Sequence, residues 1–389
     1  MSAITTGTLH TKTRIFSIDI ARGIIMVIMA LDHVRDYFHT DAQLFQPTDL
    51  NKTNVALFFT RLITHFCAPT FVLLAGTSIY LSLRHKSKAE QARFLITRGL
   101  WLMLLDLTVM RFIFFFNLYY DATVLTVLWA FGLAMVFMAG VIWLPKWSIL
   151  ALSLFIITGQ HAIPMPIPGV SSIGVFPLSP QHLVIISYPL LQWLGIMMLG
   201  YSIGLLYNDS VTPQQRQRKL ITYGVIAIVL FILIRFINVY GDPVPWSTQK
   251  DGVFTVLSFL NVTKYPPSLL FVMMTLGPVF ILLALLENVQ LNNWKFFNVF
   301  GRVPLFYFML HFLLAHVIAL ILFMIKTGKS WSTLDLHFDK SLGGVTPEGG
   351  YPLIGVYVAW IAIVLLCYPL CRWYNHYKST HKQWWLSYL

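Results

Sequence analysis

What the sequence lacks is charge. Only 11% of its 389 residues are Asp, Glu, Lys or Arg, whereas a soluble globular domain carries about 25%. That shortage excludes an ordinary soluble protein. Acidic residues are the scarcer kind, 15 against 27 basic ones. The excess does not describe a nucleic-acid-binding face, because the basic residues sit in short clusters between apolar runs, as topology determinants do. Cysteine is nearly absent as well. Cys67, Cys367 and Cys371 lie in or at the ends of apolar segments, with neither a disulfide framework nor metal-ligand spacing, and they read as packing residues.

What the chain has in abundance is hydrophobic surface, 57% of its residues. Apolar runs of about 20 residues recur from end to end, each long enough for a hydrocarbon core of roughly 30 Å. The alternating segments of about 10 residues that mark a β-barrel do not appear. The reading is therefore all-α: a polytopic membrane bundle of about ten transmembrane helices. Their expected positions are 15–38, 58–83, 94–116, 122–144, 147–163, 183–206, 219–239, 267–287, 303–325 and 352–374. This divides the chain into an N-terminal segment 1–14, a transmembrane domain 15–374 and a tail 375–389. Alternate connections are basic, for example Arg84, Lys86, Lys88 and Arg93, then Lys146, then Arg216, Arg218 and Lys219. The others are neutral, acidic or mixed, as in "TDAQLFQPTDLNKTN". By the positive-inside rule both termini are cytoplasmic. The first helix is expected to be retained, because Asp19 and Arg22 interrupt what would be the h-region of a signal peptide.

The longest gaps, 164–182, 240–266 and 326–351, are rich in Pro and Gly and fall on the outer side. "HAIPMPIPGVSSIGVFPLSP" cannot be a regular helix, since its prolines lack donors and fix φ. These loops are expected either to fold over the outer face as a lid or acceptor platform, or to serve as plain connectors. Small-xxx-small spacing at Gly200 and Gly204 predicts a close helix contact.

Ionisable residues at bilayer depth carry the functional signal, since each costs roughly 2.5–3.5 kcal/mol even on the lenient insertion scale. In "RGIIMVIMALDHVRDYFH" Arg22 and His33 are eleven residues apart, about 1100° of helical rotation, so they share a face about 16 Å apart along the axis. Asp19 lies one turn before Arg22, where it can pair with it, and Asp36 one turn beyond His33. Such a stripe must face the bundle interior or a wet cavity. Histidine suits general-base work near neutrality, and a carboxylate one turn away could fix its tautomer. The plainer alternative is an interfacial histidine beside snorkelling charges. On the second helix, Arg61 and His65 share a face, and Pro69 should kink the helix. Asp106, Lys264 in "KYPPSLLF", Arg302 and His311 in "GRVPLFYFMLHFLLAH" complete the polar set. His311 reads as well as a packing residue, and Lys264 as a loop charge.

The blocks "RIFSIDIARGIIMVIMALDHVRD", "THFCAPTFVLLAGTS", "YPLLQWLGIMMLGYSIG", "KYPPSLLFVMMTLGP" and "GRVPLFYFMLH" resemble bacterial members of the heparan-alpha-glucosaminide N-acetyltransferase catalytic-domain family. The spacing of Arg22 and His33 is also similar to the signature of the acyltransferase family 3 membrane enzymes. The resemblance implies acyl transfer from cytoplasmic acetyl-CoA to a hydroxyl or amine of a periplasmic or cell-surface glycan, at the bacterial inner membrane and without a metal. Its histidine role falls on His33. In the lysosomal enzyme the active histidine lies in the loop after the equivalent helix, so His39 and His65 stay open as rivals. In outline, Arg22 with Asp19, and Arg302, would hold CoA at the inner mouth. His33 would act as general base or acyl carrier, oriented by Asp36. Arg61 or His65 would stabilise the oxyanion, with Arg61, Lys264 and His311 facing the substrate. Partners so implied are acyl-CoA, the glycan acceptor and the bilayer, with no nucleic acid and with homodimerisation left open. The rival reading is a proton-coupled secondary transporter relaying through His33, Asp36 and Asp106, although no second copy of the first-helix stripe marks an internal repeat.

Overall fold

The structure, a computed structural model, describes residues 15–159, 166–383 and 386. The expected N-terminal segment 1–14, with Lys12 and Arg14, lies outside the described residues, as do the start of the 164–182 loop and most of the chain end.

Helix α1 (Phe16–Phe38) runs through the centre of the bundle, most of its residues buried. Around it pack α2 (Val55–Thr64), α3 (Cys67–Leu83), α12 (Lys295–Arg302), α13 (Pro304–Thr327) and α14 (Leu353–Thr380). The closest crossing is with α12. A Cβ on Gly23 would collide with the carbonyl of Phe297, and one on Gly301 with the carbonyl of Asp19. Only glycine lets two backbones approach this way. The expected contact at Gly200 and Gly204 is present too, against the Leu73 backbone and the Tyr80 side chain, and Thr77 Oγ1 donates to the Gly200 carbonyl at 2.9 Å.

Pro69 shapes the second span. Its missing N–H would have bonded the carbonyl of His65, and the helix breaks at His65 and Phe66 into α2 and α3. Then come α4 (Lys88–Leu105), a π-helical turn (Asp106–Met110) and α5 (Arg111–Phe115). A Ser87–Glu90 capping box starts α4. Helices α6 (Val127–Val141), α7 (Lys146–Gly159), α8 (Leu190–Ile203), α9 (Pro213–Ile237), α10 (Gly252–Leu260) and α11 (Leu269–Leu285) follow. A Thr212–Gln215 box with Pro213 at the first helical position starts α9.

Helices occupy all ten expected positions. Among the described residues, six helical stretches have the length and apolarity to cross a membrane unaided: 55–83, 190–207, 213–237, 269–288, 304–327 and 353–380. Helix α1 is long enough but carries Asp19, Arg22, Asp32, Arg35 and Asp36. Helices α6 and α7 are short. Two expected spans also start too early. Residues Ala122–Leu125 form β1 and His182–Ile186 form β3, which pair in parallel, and β2 (Gly174–Ser179) pairs antiparallel to β3. An apolar run of this length reads alike as helix or strand. The mostly helical, apolar architecture is that of an integral membrane protein.

Candidate active site

A cavity of about 480 Å³ runs alongside α1. One end is basic, lined by Arg22, Arg98, Arg302 and Lys378, and the other end holds Asp32, His33, Tyr188 and Lys264. The wall between them is mainly apolar, including Met26, Met29, Phe71, Leu102, Phe131 and Phe308. Of the sequence stripe, Arg22 and His33 line this cavity. Arg22 and His33 stand at its two ends, about 16 Å apart by helical rise.

At the basic end Arg22 is held three ways. Its guanidinium donates to Asp19 Oδ1 at 3.2 Å, to the Gly301 carbonyl at 3.1 Å and to Ser78 Oγ at 2.9 Å. It thus joins α1 to α12 and α3 as it faces the cavity. Asp19 anchors it from behind and does not line the space.

At the other end His33 stacks on Phe312, with ring centroids 3.9 Å apart, and its Nδ1 lies 2.8 Å from Nε2 of His311. His311 is fully buried, and its Nδ1 lies 2.8 Å from the Tyr307 carbonyl oxygen. A carbonyl only accepts, so His311 Nδ1 carries the proton that it donates. In the neutral ring, Nε2 of His311 is then an acceptor, and His33 Nδ1 must donate to it. Nε2 of His33 is left with a bare lone pair. The pair of rings fixes the tautomer that base catalysis requires.

Asp36 does not do this. Its carboxylate accepts from Arg35 at 2.6 Å and is not among the cavity-lining residues. Asp32, adjacent to His33, forms an ion pair with Arg35 at 2.6 Å and accepts from Thr64 Oγ1 at 2.9 Å and from Arg61. Arg61 is thus engaged with Asp32 and stands away from the cavity. His65 is buried beside Phe271 (centroids 5.5 Å apart), and its Nδ1 has no hydrogen-bond partner among the described residues; it does not line the cavity either. His39 follows the end of α1, where its Nδ1 accepts from the Asp41 backbone N–H at 3.1 Å. Of His33, His39 and His65, only His33 lines the cavity.

Loop segments supply Tyr188 and Lys264 to the lining. Asp242 accepts from Thr263 N at 2.8 Å and from Thr263 Oγ1 at 3.0 Å, and Ser268 N closes the turn onto the Thr263 carbonyl at 3.0 Å. This turn delivers Lys264 into the cavity and Tyr265 to Tyr188, whose hydroxyls lie 3.1 Å apart. Asp106 is elsewhere. It accepts from Thr126 N at 2.7 Å and Thr126 Oγ1 at 2.5 Å, so it caps α6 from the neighbouring helix.

Sequence reasoning missed three contributors. Asp32 had a signal, since it adjoins His33, but its arginine partners are not evident from spacing. Tyr188 had none. His316 is fully buried, sandwiched between Tyr37 and Phe116, with its nitrogens 2.6 Å and 2.8 Å from the carbonyl oxygens of Ile113 and Gly343. It ties the 326–351 loop to α13 and α5. Gly343 has φ +60°, and a Cβ there would strike the His316 ring. No group of three or more His, Cys, Asp or Glu residues that could hold a metal occurs among the described residues.

Residues 14–236 match the family model for heparan-alpha-glucosaminide N-acetyltransferase, catalytic. The chain belongs to this family. None of the curated proteins compared with it matches. Membership in the N-acetyltransferase family makes the chain a membrane acetyltransferase. The matched segment includes Arg22 and His33, whereas Lys264 and Arg302 lie beyond it and line the same cavity, and His311, also beyond it, pairs with His33. The second half of the chain thus completes a site begun by the family segment.

Proposed function

We propose that the chain moves an acetyl group from acetyl-CoA, entering from the cytoplasm, to a hydroxyl or amine on the outer side of a bacterial inner membrane, with a cell-surface or periplasmic glycan as acceptor. The observation that carries this reading is the single cavity with a basic end at Arg22 and Arg302 and a bare imidazole nitrogen at His33. Guanidinium groups suit the phosphates of the donor. The apolar wall suits the uncharged pantetheine arm, and about 16 Å of helix separates the phosphate end from the base.

His33 Nε2 then has two courses open, and both use the same lone pair. As general base it takes the proton of the acceptor as the acceptor oxygen or nitrogen attacks the thioester carbonyl; the C–S bond breaks, and the proton passes on to the thiolate. As nucleophile it takes the acetyl group first, the C–S bond breaking and CoA leaving as thiolate. The acceptor then attacks the acetyl carbon, the N–C bond breaks, and the freed Nε2 takes the acceptor's proton and passes it to the thiolate. His311 acts through His33, as a positioning residue. Asp36 and His65, which the sequence suggested for catalysis, have no part in this scheme. Asp19 holds Arg22, and Arg61 holds Asp32.

The test is purified protein in lipid with labelled acetyl-CoA, scoring label on glycan and on protein. His33→Ala should lose at least 10²-fold in turnover while still binding CoA, with His39→Ala and His65→Ala near wild type. A His33→Ala protein of normal turnover would remove the active centre from α1.

A further inference from the structure

The charges around His33 do not balance. Two carboxylates, Asp32 and Asp36, meet two guanidinium groups, Arg35 and Arg61, in a closed set of ion pairs. Lys264 is a third cation at the same place. It is 8% exposed, lines the cavity beside Asp32 and His33, and makes no ion pair with a carboxylate among the described residues. The dyad of His33 and His311 is neutral by the tautomers its hydrogen bonds impose, so it contributes no counter-charge. One positive charge is left over in a buried, largely apolar space. An uncompensated buried charge is costly, yet the Asp242–Thr263 turn holds the chain beside this residue in place. The Tyr265 ring stands 5.1 Å from the ammonium, and its π-face supplies a partial charge and no full counter-charge.

We infer that Lys264 is a catalytic residue that receives the negative charge developing on the thioester carbonyl oxygen. This rests on the acyl-transfer reading above. When the acceptor, or His33 itself, attacks the carbonyl carbon, the C=O electron pair moves onto oxygen and a tetrahedral oxyanion forms. In the direct course His33 Nε2 takes the acceptor's proton at the same time. The Lys264 ammonium donates a hydrogen bond to that oxygen and keeps its own proton. As the oxyanion collapses, the C–S bond breaks; in the direct course the thiolate takes the proton from His33, and in the covalent course it takes the acceptor's proton later, by way of the Nε2 that the acceptor frees. Lys264 has an anionic partner in contact only while the oxyanion exists, which is the differential stabilisation that catalysis needs. Arg61, bound to Asp32, has no comparable freedom.

The inference is tested by binding, independently of any acceptor. Carboxymethyl-CoA carries a carboxylate near the place of the oxyanion, and acetonyl-CoA carries a neutral carbonyl there. Calorimetry on the full chain in detergent or nanodiscs should show wild type preferring the carboxymethyl compound by at least about 10-fold. Lys264→Met should bind acetonyl-CoA normally, which also shows that it is folded, and lose the preference. Lys264→Arg should keep part of it. In labelled-acetyl transfer to glucosamine, Lys264→Met should lower kcat by roughly 10²–10³-fold, with little change in KM for the donor. Binding of both analogues without a Lys264-dependent preference would overturn the assignment while leaving the donor site intact. Failure of wild type to bind either analogue would overturn the acyl-transfer reading, and this inference with it.

Discussion

Nδ1 of His33 and Nε2 of His311 lie 2.8 Å apart, although 278 residues separate them in the chain. One ring lies in the segment that defines the family and the other beyond it. The contact converts an ordinary buried histidine into the part that fixes which nitrogen of His33 is free. Replacing His311 by Ala should therefore lower kcat by roughly 10–10²-fold, as the His33 tautomer is released, with the donor KM nearly unchanged. His311→Gln, which can still accept a hydrogen bond, should recover part of the loss. ¹⁵N NMR of labelled histidine should show the His33 Nδ1 proton site losing its single tautomer in His311→Ala.

Asp32 tests the ion network behind the base. It pairs with Arg35 and accepts from Arg61 and Thr64, so Asp32→Ala would leave two buried guanidinium groups without a shared carboxylate. Breaking a buried pair from one side costs about 3–5 kcal/mol. Denaturation in mild detergent should register a loss of that order. Arg61→Met, which removes the cation and keeps the bulk, should cost less, because Asp32 retains Arg35 and Thr64.

Asp106 separates structure from proton transport. Its carboxylate caps α6 through Thr126, and it does not line the cavity. Asp106→Ala should cost about 0.5–2 kcal/mol of stability, the usual worth of a helix cap, and leave the kinetics of acetyl transfer unchanged in the folded fraction. Collapse of turnover in folded protein would revive the relay reading.

Donor binding should be electrostatic at one end only. Arg302→Ala and Arg22→Ala should each weaken CoA binding and flatten its salt dependence. Arg22→Ala should also lower thermal stability, because that side chain bonds Ser78 and the Gly301 carbonyl. Calorimetry at two salt concentrations, with a melting curve for each variant, checks both statements.

Orientation is checked by reporter fusions. Those at residues 90 and 214 should report cytoplasm, and those at 48 and 340 the opposite side. Opposite readings at two of the four would invert the proposed direction of transfer.

Much of the site was legible from a single helix. The spacing of Arg22 and His33 put both on one face, and Pro69 marked the break that separates α2 from α3. What could not be read were relationships between distant parts of the chain. Asp36 stands one turn from His33, which made it a natural orienting group, but Arg35 turns it aside and His311 takes the place. Lys264 looks like a loop charge until Asp242 is seen folding that loop back over the cavity. The runs 122–125 and 182–186 are apolar enough for a helix, and pairing with a neighbouring strand decides them instead.

The lone pair on His33 also has an energetic corollary. In the proposed direction, the acceptor gives up a proton on the outer side of the membrane, and that proton leaves on the thiol of CoA into the cytoplasm. The acetyl group and the proton change places, so each substrate keeps its net charge on its own side and a turnover moves no net charge across the membrane. Outward acetylation would then draw on the thioester alone, whatever the membrane voltage, and would run as near to completion in a detergent solution as in an energised cell.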